Sequence, residues 1–162
     1  MTAESFRDEN FRVLTSEAFD FVLHNELKRA VRSQNFLTLV HVEPTLRGQL
    51  PAEPDEPDER DAAVREIARL ISREVRETDL LAQTTRGRLS LVLLDADMPN
   101  SLHVIERLMA RLDHYQFTQP LAIQVGAACC PTHGADVDSL KRAAESRSVH
   151  PRRDARGNAS NA

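Results

Sequence analysis

The stretch from Leu80 to Leu94, LLAQTTRGRLSLVLL, contains two apolar runs, Leu80 to Ala82 and Leu89 to Leu94. Only Gln83 to Arg88 separates them, with Gly87 near the turn. A parallel crossover needs about a dozen residues or more. The pair therefore reads as an antiparallel hairpin. Upstream, Val64, Ile67, Ala68, Ile71 and Val75 fall on one helical stripe behind Asp61. Before them, FLTLVHV (Phe36 to Val42) is short, apolar and partly β-branched, the pattern of a buried strand. Downstream, Asp97 and Pro99 mark a helix start, and Leu102, Ile105, Leu108, Met109 and Leu112 give its apolar face. Pro120 introduces a strand over Leu121 to Ala128, and a short last helix is expected from about Val137 to Ser146.

At the front, Thr15 or Ser16 can cap a helix, with Glu17 in its first turn. Phe19, Val22, Leu23, Leu27, Ala30 and Val31 form its stripe. The expected class is α+β, a ferredoxin-like (palm) βαββαβ antiparallel sheet with an extra N-terminal helix and a C-terminal helix. Split βαβ units of this kind carry their helices on one face of the sheet.

The 162 residues suit one domain with tails. The expected division is a lead-in at 1–14, a domain at 15–147 and a disordered basic tail at 148–162 containing Arg152, Arg153 and Arg156. Residues 44–60 interrupt the pattern. PAEPDEPDER packs three Pro and five acids into ten residues, the composition of a flexible acidic loop. Apolar residues make up 41% and charged residues 28%, ordinary for a soluble globular protein. Lys plus Arg total 21 against 25 Asp plus Glu, a net charge of -4, which argues against a general nucleic-acid or anionic-membrane binder. No apolar run approaches the roughly 20 residues of a membrane span. MTAESFRDENF is polar and acidic, unlike a signal peptide. The adjacent Cys129 and Cys130 make neither a disulfide framework nor a zinc site, so a reduced, cytoplasmic protein is expected.

With a capped helix in front, this order of elements resembles the GGDEF domain of diguanylate cyclases, over about residues 14 to 146. Leu14-Thr15-Ser16 is similar to the Leu-Thr-Gly that opens the family's first helix. Val75-Arg76-Glu77-Thr78-Asp79 resembles the segment leading into its signature hairpin, and Ile105-Glu106-Arg107 its Ala-Glu-Arg helix. Ile123 to Ala128 resembles the Thr-x-Ser-x-Gly-Val-Ala strand, and Leu140 to Glu145 the Leu-Leu-Lys-Arg-Ala-Asp-Glu helix.

The departures from that pattern imply a catalytically inactive domain. The signature Gly-Gly-Asp/Glu-Glu-Phe falls on Thr85-Arg86-Gly87-Arg88-Leu89. The family's two glycines let backbone approach the nucleotide, which Thr85 and Arg86 do not reproduce. Gly87 stands where an acidic residue would hold Mg²⁺. His41 stands where the first strand would supply the second carboxylate, and imidazole is a poor ligand for that hard cation. Glu43 shares the face of His41, but one carboxylate does not rebuild a two-metal clamp. The guanine-reading segment of the family is replaced by the acidic loop. No catalytic residue, metal or cofactor is expected.

One family site has its residues in place. Arg76-Glu77-Thr78-Asp79 matches the Arg-x-x-Asp form of the inhibitory site that binds cyclic di-GMP, and Arg107 matches the Arg that the following helix contributes. The chemistry fits. An Arg fork pairs with guanine O6 and N7 or with phosphate, and a carboxylate accepts from guanine N–H groups. The resemblance thus implies a cyclic di-GMP receptor. The alternative is an interaction module that binds a signalling partner or a second copy and no nucleotide. Arg76 and Asp79 also straddle a helix end, where a surface ion pair is worth about 0–1 kcal/mol and turn chemistry alone accounts for Asp79. A further reading takes Leu91 to Pro99 as the phosphoacceptor strand of a receiver domain, with Asp95 as acceptor. That requires parallel strands. His24, His103, His114 and His133 show no metal spacing.

Overall fold

The computed structural model describes residues 13–46, 59–85, 87–117 and 121–149. In chain order the elements are helix α1 (Ser16–Ser33), strand β1 (Leu37–Leu46), helix α2 (Glu59–Glu74), strands β2 (Leu80–Thr85) and β3 (Arg88–Leu94), helix α3 (Met98–His114), strand β4 (Leu121–Cys130) and helix α4 (Val137–Ser146). The strands form one sheet of order β2-β3-β1-β4, antiparallel at every junction. Residues with short polar side chains set the helix starts. Thr15 Oγ1 accepts from Ala18 N at 3.1 Å, Asp97 Oδ1 from Asn100 N at 3.1 Å, and Asp136 Oδ1 from Ser139 N at 2.8 Å.

Helices cover both faces of the sheet, which corrects the expectation of one. Leu37, Leu39, Val92, Ala128 and Cys130 pack against Phe19, Leu23 and Leu27 of α1 and Leu140 and Ala144 of α4. Val40, Val42, Leu91, Leu93, Ile123 and Val125 face Ile67 and Ile71 of α2 and Ile105, Leu108 and Leu112 of α3. The reason is visible in β1 and β3, whose side chains are apolar at consecutive positions. A strand apolar on both faces needs a layer on each.

Several boundaries differ from the sequence reading. Phe36 lies before β1 and is exposed, as is Val31 on α1. Pro44 to Leu46 belong to β1 rather than to the acidic loop, and helix α2 already begins at Glu59. Among the described residues, strand β1 beyond Val42 pairs with β4 alone, so Pro44 sits at a sheet margin, where its missing N–H is tolerated. Positions 47–58 of that loop lie outside the described residues. In the hairpin, Gln83 to Thr85 extend β2 and Thr85 pairs with Arg88, leaving positions 86 and 87 between the strands. Gly87 takes φ 84°, which a two-residue link favours. Strand β4 runs on to Cys130, with both cysteines buried and unpaired by disulfide.

The ends of the domain also join the sheet. Val13 is buried against the α2/α3 core, and Leu14 N donates to Leu81 O at 2.8 Å on the outer edge of β2. On the opposite edge, Val149 N donates to Val125 O at 2.8 Å, so Ser148 and Val149 extend the fold past the expected start of the tail. Residues 1–12 and 150–162, including most of the expected lead-in and tail, lie outside the described residues. The receiver expectation fails on topology: Asp95 occupies an exposed left-handed turn (φ 55°) at the end of an antiparallel strand.

Candidate functional site

Two charged clusters stand at the hairpin, one at each end. The first is on the sheet face under α1 and α4. Leu37 and Leu39 fill the core there, and period-two alternation carries His41 and Glu43 onto the same face. His41 lies between Ser90 of β3 and Gly126 of β4. Its ring is buried, Nδ1 is 3.0 Å from Ser90 Oγ, and that hydroxyl is 2.7 Å from Thr84 Oγ1. Among the described residues His41 Nε2 has no hydrogen-bond partner. Burial, then the nearby Arg88 charge, lowers the His41 pKa to about 4. The imidazole is therefore neutral at pH 7.

Arg88 projects from the start of β3 into this cluster. Nη2 donates to Glu43 Oε1 at 3.3 Å and Nη1 to Glu145 Oε2 at 3.2 Å, which ties β1, the hairpin and α4 together. Lys141, one turn before Glu145, pairs with Asp20 of α1 at 2.7 Å. Thr85 is exposed and Leu89 is fully buried in the α2/α3 core. Arg86 lies outside the described residues. Among the described residues no group of three or more His, Cys, Asp or Glu could hold a metal ion.

The second cluster gathers at the C-terminal end of α2. Arg76 Nη2 donates to the Leu94 carbonyl, and the guanidinium lies 3.6 Å from Asp79 Oδ1. Asp79 Oδ1 accepts from Leu94 N and Oδ2 from Arg76 N, each at 3.1 Å. Its side chain is 3% exposed, against 62% for Arg76. Arg107 approaches from α3. Its Nε donates to Glu74 Oε1 at 3.3 Å and its Nη2 to Glu74 O at 3.2 Å. Arg111, one turn on, pairs with Glu74 Oε2 at 2.7 Å. The sequence-derived trio is thus brought to one end of the molecule in two groups. Arg76 and Asp79 form one. Arg107 joins the other through Glu74.

Glu74, Arg111 and Glu145 were not singled out by sequence. Glu74 continues the stripe of Ile67 and Ile71 on α2, and Arg107 and Arg111 are spaced i, i+4. A carboxylate on an apolar stripe beside such a pair was the available signal.

The family model described as "Diguanylate cyclase, GGDEF domain" matches residues 58–157. The chain belongs to the GGDEF family. A DGC protein from Thermotoga maritima aligns with TM-score 0.70 at 15% identity, over 85% of this chain and 97% of that one. The active GGEEF domain of a diguanylate cyclase from Vibrio cholerae aligns with TM-score 0.71 at 13% identity, over 83% and 87%. The GGDEF domain of DgcB from Caulobacter crescentus, solved in complex with c-di-GMP, gives 0.64 at 12%, over 83% and 82%. Identities this low carry the fold and no more. No curated protein matches significantly. In this GGDEF domain no helix among the described residues is long and apolar enough to cross a membrane.

Proposed function

We propose that this GGDEF domain, with residues 15–147 as its working unit, has lost cyclisation and acts as a cyclic di-GMP receptor through Arg76, Asp79 and Arg107. Several features support the loss. The hairpin carries Thr85, Gly87, Arg88 and Leu89, His41 is neutral and inward-facing, and Arg88 engages the neighbouring carboxylates. The observation that carries the receptor reading is the anchoring of two arginines. Arg76 is fixed to the Leu94 carbonyl and Arg107 to the Glu74 carbonyl, yet their side chains are 62% and 55% exposed. Holding a guanidinium by one edge while its other N–H groups stay accessible lowers the ordering cost of binding. Two such forks suit a ligand with two phosphates and two guanines. Asp79 acts chiefly by positioning, because its carboxylate accepts from backbone N–H groups. A structural neighbour, DgcB, is described in complex with c-di-GMP.

That inward carboxylate also favours a second reading, an interaction module without nucleotide. Another neighbour, the diguanylate cyclase SiaD of Pseudomonas aeruginosa, is described in complex with its activator SiaC. Calorimetric titration with cyclic di-GMP separates the two. Binding at micromolar affinity, lost in Arg76→Ala, supports the receptor. Absence of heat and of any thermal shift at about 100 μM ligand leaves the interaction module, since a saturated micromolar site adds about 2.7 kcal/mol of stability at that concentration. Incubation with GTP and Mg²⁺ or Mn²⁺ tests the loss of cyclisation, and appearance of a cyclic dinucleotide would refute it.

A further inference from the structure

Helix α2 carries Arg65, Arg69 and Arg73 at i, i+4 and i+8, on the side opposite Ile67 and Ile71. Arg65 and Arg73 are exposed and Arg69 is half-buried. Like charges at this spacing repel along a helix, so the row works against the helix that carries it. The acid within the row, Glu66, is engaged by Tyr115, whose OH donates to Oε2 at 3.2 Å. The Arg69 and Arg73 charges are close enough to act on the Tyr115 hydroxyl. The Tyr115 ring is 37% exposed and pairs with Phe117, with centroids 4.7 Å apart and planes tilted by 60°. A row of guanidinium groups and an aromatic face thus stand together on the outside of the α2/α3 layer.

The same chain holds the complementary chemistry. Residues 51–58, PAEPDEPD, place Pro51, Pro54 and Pro57 three apart, with Glu53, Asp55, Glu56 and Asp58 between and after them. That spacing puts prolines on one side of a polyproline II helix and leaves the other sides to the carboxylates. Prolines in this form pack on aromatic side chains, and carboxylates pair with guanidinium forks. We infer that the α2 arginine row and Tyr115 are a docking surface for residues 51–58 of a second copy of this chain, prolines on the ring and carboxylates on the row. A long polyanion would have to approach a chain of net charge -4, whereas a short acidic segment meets the row alone. The segment of the same copy does not reach. Arg73 lies about 21 Å along α2 from Glu59. Leu46 is at the far end of β1 from Leu37, which pairs with Leu94 beside Arg76, so the segment would have to run out along α2 and back. The twelve residues 47–58 span about 40 Å fully stretched, which such a path exhausts. Two copies that exchange segments make the contact twice, as a symmetric pair. This goes beyond the dinucleotide reading and does not depend on it.

The test is sedimentation velocity on the whole chain without nucleotide, over a range of concentrations in low and in high salt. Wild type is expected to show a monomer–dimer equilibrium at low salt that shifts to monomer at high salt, because exposed ion pairs are screened. The double variant Arg65→Glu, Arg73→Glu is expected to be monomeric, and so is a variant with Glu53→Gln, Asp55→Asn, Glu56→Gln and Asp58→Asn. Each keeps one half of the contact, so an equal mixture of the two is expected to associate again, more weakly than wild type. Tyr115→Ala is expected to weaken association at low salt. A wild-type chain that stays monomeric at every concentration in low salt would overturn the inference. So would association that survives either set of charge changes, or a mixture that stays monomeric. Should the Glu pair not fold, as read from thermal unfolding, Arg65→Gln with Arg73→Gln removes the charges without reversing them. It is expected to weaken association, and association equal to wild type would equally overturn the inference. Because no cyclic dinucleotide is present, failure here is separate from failure of the receptor reading.

Discussion

Leu94 N donates to Asp79 Oδ1 at 3.1 Å, and this bond fastens the end of β3 to the turn that precedes β2. The second oxygen accepts from Arg76 N at 3.1 Å, while Asp79 N donates to Arg76 O at 3.0 Å, closing a β-turn over Arg76 to Asp79 that the carboxylate braces from its last position. Asp79→Ala strips the acceptor from two backbone N–H groups at once. The expected cost is about 1–3 kcal/mol, the penalty for stranded donors. Asp79→Asn keeps one acceptor and is expected to fall between wild type and Asp79→Ala. Urea denaturation at neutral pH measures both. An Asp79→Ala variant as stable as wild type would mean that water replaces the carboxylate.

Arg107 should behave in the opposite way. Its side chain is 55% exposed, and although Glu74 is only 11% exposed, Arg111 still pairs with that carboxylate at 2.7 Å when Arg107 is removed, so the loss is about 0–1 kcal/mol. Arg107→Ala is therefore expected to leave the melting midpoint near wild type while weakening cyclic di-GMP binding by roughly 10-fold or more, the value of a charged hydrogen bond. Arg107→Lys keeps charge without the fork and is expected to recover only part of the affinity. Calorimetry on the three proteins reads this directly. Equal affinities would remove Arg107 from the site.

The pH dependence follows from His41. Its pKa is about 4 in the fold against the ordinary 6.5 in the open chain. Between those values the unfolded chain binds a proton that the folded one refuses. Stability from this residue is therefore present above pH 6.5 and is lost as the pH falls toward 4, by up to about 3 kcal/mol. His41→Leu removes the titrating ring and leaves Ser90 its contact with Thr84, so the fall in stability over this range should be shallower by about one proton. Denaturation curves at a series of pH values compare the slopes. Parallel slopes for the two proteins would show that His41 is protonated in the fold.

Much of the architecture was legible because the signals were local. The Thr15 and Asp97 caps and the stripes of Phe19, Leu23 and Leu27 or Ile105, Leu108 and Leu112 lie within one or two turns of chain, whereas the Asp136 cap of α4 emerged only in the fold. What was not legible depended on partners distant in sequence. The second helical layer arises because Leu37 and Leu39 on one side and Val40 and Val42 on the other all need cover, which a single strand cannot assign to particular helices. Pro44 marks a break by composition, yet β4 extends beside it. The same holds for the clusters. Arg76 and Asp79 are spaced for a turn and form one, but Glu74 meets Arg107 and Arg111 only after α2 packs on α3. Arg88, read as a lost catalytic position, acquires its role from Glu43 and Glu145, which approach from 45 and 57 positions away.

Gly126 gives a stability prediction that links the helix layer to the hairpin cleft. A Cβ built there would lie 2.2 Å from Ala144 O and 3.2 Å from Arg147 O, both backbone atoms at the end of α4. Those atoms cannot swing aside as a flexible side chain would. Gly126→Ala is therefore expected to lift the end of α4 from β4, thinning the packing of Leu140 and Ala144 and drawing Glu145 away from Arg88. The cost of such overpacking is about 1–3 kcal/mol or more. Gly134→Ala is the control, because its new Cβ would come no closer than 3.0 Å to its neighbours and should cost less. Amide exchange gives a local readout. Ala127 N donates to Arg147 O at 3.1 Å and Val149 N to Val125 O at 2.8 Å, and both amides should exchange faster in Gly126→Ala. Unchanged protection at Ala127 and Val149, with stability equal to that of Gly134→Ala, would show that α4 yields at this contact without loss.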